Sequence, residues 1–375
     1  MFRFIADSGQ IDLTVLFLSD MSLREYHDPG FQTAVRWDVP LLEGYRHLFL
    51  PALGGRQRLS FLQPLTYGVR RCLAAGGFDA LWIHGYMHHA LLAAIGWARA
   101  LGLRVLLRGE SNCLCEPASA PRRRLKRLLL PRLFRMIDGF LTIGALNRDY
   151  YLRHGVPAER MFAMPYAVDN DFFRRGCLQA ARSRSRLRTE LELAPGRPVI
   201  LYASKLQARK RPADLLEAYA RLSPDGRREP HPYLLFIGDG EQSVALRTRA
   251  QALGWNSIRF AGFRNQTDLP AFYDLCDVFV LPAASEPWGL VINEVLNAAK
   301  PVVVSDQVGC YPDLVADGGN GFIVPLGDIG GLSRRLGELC ANPSLAATMG
   351  QEGRRKVAAF SFAADLEGLM AALRA

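Results

Sequence analysis

Between Ser285 and Glu294 the chain reads S-E-P-W-G-L-V-I-N-E, which places two carboxylates, Glu286 and Glu294, with seven residues between them. Pro287 and Gly289 mark a turn, and Leu290, Val291, Ile292, Val295 and Leu296 begin an apolar helical pattern. The apolar run Asp277–Leu281 just before it reads as a strand. The spacing therefore predicts a strand, a tight loop carrying Glu286, and a helix from near Gly289 with Glu294 on its second turn. A helix start offers unbonded backbone N–H groups and the positive end of the dipole, which suit phosphate. Carboxylates beside such a seat suit neutral hydroxyls, as on a sugar, and a nucleoside diphosphate sugar carries both groups. Glutamates early in a helix also complement the dipole while solvated, so the surrounding sequence has to decide between the two readings.

That surrounding sequence alternates apolar, β-branched runs with helical patterns. Strands are expected at Asp12–Ser19, Ala80–His84, Arg104–Arg108 and Gly139–Ile143. A second set is expected at Pro198–Ala203, Tyr233–Gly238, Ser257–Ala261, Asp277–Leu281, Pro301–Ser305 and Gly321–Pro325. Helices between them include His88–Ala100, Pro212–Ala220, Ser243–Leu253, Thr267–Leu275, Trp288–Ala299 and Ile329–Cys340. Strand–helix alternation implies α/β domains with parallel sheets covered on both faces, and 375 residues suffice for two. The expected division is a first domain at 1–175, a linker at 176–196, a second domain at 197–355 and a C-terminal helix at 356–375 crossing back to the first domain. The linker carries Arg182, Arg184, Arg186 and Arg188 and closes on Pro195-Gly196. Met1–Asp7 reads as the tail of a helix, so the strand at Asp12–Ser19 is expected second in its sheet, with the first strand and its glycine-rich turn missing upstream.

Composition is that of a globular protein, 49% hydrophobic and 22% charged, and the net charge of +10 favours an anionic partner. No apolar run reaches the roughly 18 residues of a membrane-spanning helix. Seven scattered cysteines, with only Cys113 and Cys115 close together, fit neither a disulfide framework nor a paired zinc site and suit a reducing cytoplasm. Residues 122–135 interleave arginines with leucines. On a helix this gives an apolar stripe flanked by cations, which reads either as a helix lying on an anionic membrane surface or as an amphipathic helix packing its leucines on the core. Nucleic acid is not expected, because no aromatic–basic interleaving, zinc finger or RNP-like motif occurs.

In order along the chain stand Gly155-Val156-Pro157, Pro165-Tyr166-Ala167-Val168-Asp169, Ser204-Lys205-Leu206 with Lys210, and Gly238-Asp239-Gly240-Glu241. Phe260-Ala261-Gly262-Phe263, the Glu286–Glu294 segment and Gly321-Phe322-Ile323-Val324-Pro325 follow. This ordered set resembles the family 4 (group 1) retaining glycosyltransferases, densely from about Leu141 onward and more sparsely before it. The resemblance implies the GT-B fold, two Rossmann-like doubly wound domains facing a central cleft. It also implies that Glu294 accepts hydrogen bonds from ribose hydroxyls, that Glu286 faces the donor sugar, and that Gly289 and Leu290 offer amides to the distal phosphate. Phe263 would hold the base through its main chain. Lys205 and Lys210, in a loop after a strand, would neutralise the diphosphate leaving group. The family pattern has Gly-Arg-Leu where this chain has Ser204-Lys205-Leu206, which keeps the charge but not the bidentate fork. His84 ends a strand where the family places a histidine near the reacting sugar, although a single histidine is also an ordinary structural hydrogen bonder. Arg108 and Glu110 close the next strand and by position would line the acceptor side.

The function this implies is retaining transfer of a sugar from a UDP- or GDP-type donor to a hydroxyl of a glycan or lipid-linked acceptor. The family works without a cofactor or a metal, by a front-face displacement in which the leaving diphosphate takes the acceptor's proton. The expected setting is cell-envelope or extracellular glycan synthesis, in the cytoplasm or peripherally on the inner face of the membrane. The competing readings are an N-terminally truncated, inactive nucleotide-sugar binder, a membrane-surface or nucleic-acid module resting on the charge alone, and another enzyme of the same fold such as an epimerase or phosphorylase, whose signature is not found.

Overall fold

Parallel strands covered on both faces must be apolar along their whole length, and such runs build the main sheets of the molecule. The computed structural model describes residues 1–54, 60–115, 119–223 and 231–375, without the side chains of Cys115 and Arg122. They form two units, one of Met1–Tyr26, Pro40–Ala167 and Ser361–Ala375, the other of His27–Val39 and Val168–Phe360.

The first unit contains β1 (Thr14–Phe17), β2 (Arg46–Phe49), β3 (Ala80–His84), β4 (Arg104–Arg108), β5 (Gly139–Thr142) and β6 (Met161–Ala163). A four-stranded parallel sheet has the order β6-β5-β4-β3. Here the sequence expectation needs correction. β1 is not second in that sheet but pairs with β2, Thr14 against Arg46 through Phe17 against Phe49, as a separate two-stranded sheet. The physical reason is a partner some thirty residues on: β2 offers β1 a matching parallel edge. The segment Met1–Asp7 is indeed helical from Phe2, and its Ile5 is buried with Leu106, Leu141 and Met164. The same cluster takes Leu366, Leu369 and Ala372 from the C-terminal helix Phe362–Arg374. Only a glycine fits at 368, because a Cβ there would collide with the Ala163 carbonyl.

The second unit carries β7 (Val199–Ala203), β8 (Tyr233–Ile237), β9 (Ile258–Phe260), β10 (Val278–Leu281), β11 (Val302–Ser305) and β12 (Gly321–Val324). They form one parallel sheet in the order β9-β8-β7-β10-β11-β12, and every residue of β7, β8, β10 and β11 is buried. The chain builds outward from β7 to β9, then crosses back and builds outward from β10. The order thus reverses between β7 and β10, where open α/β sheets bind ligands beyond the carboxyl ends of their strands.

The stretch 176–196 is not a free linker. Helix Asn170–Ala180 runs through a 3-10 turn into helix Arg184–Glu190 within the second unit. Its arginines find acceptors there: Arg184 donates to both oxygens of Asp274 at 2.7 and 2.5 Å, and Arg188 donates to the carbonyls of Ala194 and Arg197.

Candidate functional site

The loops after β7 and β10 face each other across the point of reversal. After β7, Leu206 N donates to the Asp239 carbonyl and Lys210 sits buried in a 3-10 turn. After β10, Ala284 N donates to the Arg209 carbonyl, and Arg209 Nη1 donates to the Ser285 carbonyl at 3.1 Å. These bonds stitch the loops together and bring the Lys210 ammonium onto the Glu286 carboxylate. Burial pushes the Lys210 amine down to about 7, and the charges of Arg209 and Lys205 add to the effect. The Glu286 carboxylate lies against it as the counter-charge, which favours the protonated amine.

Glu286 is held by its own backbone, with its N–H to the Gln307 carbonyl and its carbonyl accepting from Gly309 N. Gly289 then takes φ +97°, a left-handed conformation that disfavours side chains, and opens the helix Leu290–Asn297. The first amides of this helix have no partner within it. Glu294 lies on the same helix, and one of its oxygens accepts from the buried Tyr273 hydroxyl at 2.5 Å. Burial pushes the Glu294 carboxyl up to about 7, against the pull of that hydrogen bond. Sequence reasoning named Glu294 but missed Tyr273, which carries no motif and is recognisable only by its position in space.

Beside this rim, after β8, Gly238 adopts φ +117° where a Cβ would collide with the Ser204 carbonyl, so the two loops touch through backbone. Phe263 follows β9 and is half-buried, with its ring edge on to Phe31 at 4.9 Å. Lys205, Lys210, Phe263, Glu286, Gly289, Leu290 and Glu294 thus all lie in the second unit, on loops after its strands or on the helix that follows β10. Among the described residues no group of three or more His, Cys, Asp or Glu gathers as a metal site.

In the first unit, His84 ends β3 with exposed surface, flanked by the rings of Trp82 and Phe2. Its packing against these rings and the nearby Arg108 charge push its imidazole below the usual histidine range although one edge stays exposed, so it is neutral at pH 7. His88 instead caps the helix His89–Ala100 by accepting from Ala90 N. Arg108 departs from its expected acceptor-side place. It is 2% exposed, and its guanidinium donates to the Met164 and Pro165 carbonyls and to Asp365 at 3.0 Å. The reason is the C-terminal helix, which brings a carboxylate to the end of β4. Glu110 is exposed and accepts from the Tyr166 hydroxyl.

Residues 8–167 match the family of glycosyl transferase 4-like domains, and residues 183–356 match the glycosyl transferases group 1. The lipopolysaccharide core biosynthesis glycosyltransferase LpsE of Rhizobium meliloti is 34% identical over 168 residues, 44% of this chain and 46% of LpsE, so the chain spans less than half the length of that relative. The GDP-mannose-dependent alpha-(1-6)-phosphatidylinositol monomannoside mannosyltransferase of Mycolicibacterium smegmatis is 26% identical over 294 residues, 76% of this chain and 73% of the relative. The crystal structure of Anabaena HepE in complex with UDP and glucose superposes with a TM-score of 0.66 at 19% identity, over 88% of this chain and 87% of HepE.

Proposed function

Because the chain belongs to the group 1, family 4 glycosyltransferases and has their GT-B fold, we propose that it moves a sugar from a nucleoside diphosphate sugar to an acceptor hydroxyl with retention of configuration and without a metal. The observation that carries this reading is the rim of the second unit, where Lys210, Glu286 and the Gly289 helix start meet at the reversal of strand order. Lys210 supplies positive charge for the diphosphate, and the free amides of Leu290 and Val291 add partial charge at the same end of the helix. Glu286 takes the hydroxyls of the donor sugar and Glu294 those of the ribose, with Phe263 at the base. As the bond to the anomeric carbon breaks, the leaving phosphate oxygen gains negative charge. The acceptor hydroxyl gives its proton to that oxygen and bonds to the carbon on the same face.

A thermal-shift panel of UDP, GDP and ADP tests the donor site, since a ligand of the folded chain raises its stability by mass action. One nucleotide should stand out. Glu294→Gln keeps an acceptor for Tyr273 but loses the charged acceptor for ribose, which costs about 1.5–3 kcal/mol of binding. A panel in which no nucleotide shifts the wild type, or in which the variant shifts equally, contradicts the assignment.

Relatives named for lipopolysaccharide core and phosphatidylinositol mannoside synthesis support a glycan or lipid-linked acceptor and a role in the cell envelope. The helix Ala120–Phe134 supports action at an anionic membrane surface. It buries Leu130 and Phe134 and leaves Leu125, Leu128 and Leu129 more than half exposed among the exposed Arg124, Arg127 and Arg132. Among the described residues no helix is long and apolar enough to cross a membrane. Anionic liposomes should retain the protein at low salt and release it at high salt, each cation contributing about 1 kcal/mol. Replacing Arg124, Arg127 and Arg132 by Glu should abolish retention. Equal recovery with neutral and anionic vesicles would leave the helix a purely structural one.

A further inference from the structure

Lys205, the other cation assigned to the diphosphate, is already occupied. Its ammonium lies 2.8 and 3.0 Å from the two carboxylate oxygens of Asp28, which is 8% exposed and belongs to the same unit. Asp28 is fixed in turn, accepting from Gly30 N at 2.7 Å and Phe31 N at 3.0 Å. The turn fits Lys205 closely. The ammonium stands 4.7 Å from the centre of the Phe31 ring, and a Cβ on Gly30 would come within 2.7 Å of the lysine's Cδ. It also reaches both flanks of the proposed donor seat. Phe31 meets Phe263 edge to face, and the Gly30 carbonyl sits 2.9 Å from where a Cβ of Gly240 would be.

We propose that the Asp28–Phe31 turn is a latch on the donor site, in which the Asp28 carboxylate holds the Lys205 ammonium while the site is empty and gives it up to the donor's diphosphate. A phosphate and a carboxylate compete for the same cation, and the doubly charged ligand draws it more strongly. The carboxylate thereby sets a threshold: weak or singly charged ligands do not displace it. This inference rests on the assignment of Lys205 to the donor diphosphate.

Calorimetric titration of the full chain with UDP and GDP, and with uridine and guanosine, tests it. Asp28→Asn keeps the shape of the turn and removes the competing charge. It should bind the nucleoside diphosphate about tenfold more tightly, as expected for one charged hydrogen-bonded pair, with nucleoside affinity unchanged. Should that variant lack a cooperative unfolding transition, Asp28→Ser, which also removes the carboxylate while keeping an acceptor for the Gly30 amide, carries the same expectation. Diphosphate affinity that is unchanged or weaker in the variant overturns the latch and leaves the donor reading intact. Absence of nucleoside diphosphate binding by the wild type and both variants overturns the donor reading and the latch with it.

Discussion

Glu286→Gln is expected to lower turnover by about 100-fold or more, the scale of losing one preorganised group in a water-poor site. Two losses combine in this variant. The sugar loses a charged acceptor, and Lys210 loses the counter-charge that favours its protonated form. The Lys210 amine is pushed down to about 7 by burial even with Glu286 beside it, so removing the carboxylate lowers it further and the amine sheds its charge at a lower pH. Donor affinity should accordingly weaken in the wild type between about pH 6 and pH 8, as the amine titrates, and at lower pH in the variant. Lys210→Met should also bind donor weakly, but with no such pH dependence, because the titrating group is gone. Steady-state kinetics of the wild type and the two variants across that range check the pairing. Full activity in Glu286→Gln, or a flat pH profile in the wild type, contradicts it.

Asp365→Ala is expected to destabilise the first unit by about 3–5 kcal/mol, because it leaves the buried Arg108 guanidinium without its counter-charge. Both side chains are almost wholly inaccessible, at 3% and 1%. The same substitution loosens the C-terminal helix, whose Leu366, Leu369 and Ala372 cover Leu106 and Leu141. Burial pushes the Asp365 carboxyl up while the guanidinium pulls it back, a balance in which neither charge is tolerable alone. Replacing both partners, Arg108→Met with Asp365→Leu, should recover part of the loss, as buried pairs exchanged for apolar residues do. Urea denaturation reads both variants. A change below about 1 kcal/mol in Asp365→Ala would mean that the pair is exposed and weak.

The strands of the second unit were legible because both of their faces are buried. Val199–Ala203, Tyr233–Ile237 and Val278–Leu281 are uninterrupted apolar runs between turn residues, and each lies within one residue of its expected bounds. The grouping of Lys210 with Glu286 was legible through the order of short motifs along the chain. What failed to show were partners far apart in sequence. The arginines of 182–188 look like a polar linker until Arg184 meets Asp274. Arg108 looks like an acceptor ligand until Asp365 arrives from the C-terminal helix. Asp28 in Asp28-Pro29-Gly30 reads as a turn and nothing more, although it is the partner of Lys205. The strand Thr14–Phe17 is short and half-buried throughout, and nothing local specifies Arg46–Phe49 as its neighbour.

The central claim is that the rim joining Lys210, Glu286 and Glu294 activates a nucleoside diphosphate sugar for transfer. Release of UDP or GDP from the corresponding nucleotide sugars tests it most directly, measured with a mixture of glycan and lipid-linked acceptors and a metal chelator present. The account predicts acceptor-dependent release by the wild type and a drop of about 100-fold with Glu286→Gln. Release that is equal in the two chains, or that is absent with every nucleotide sugar, would contradict it.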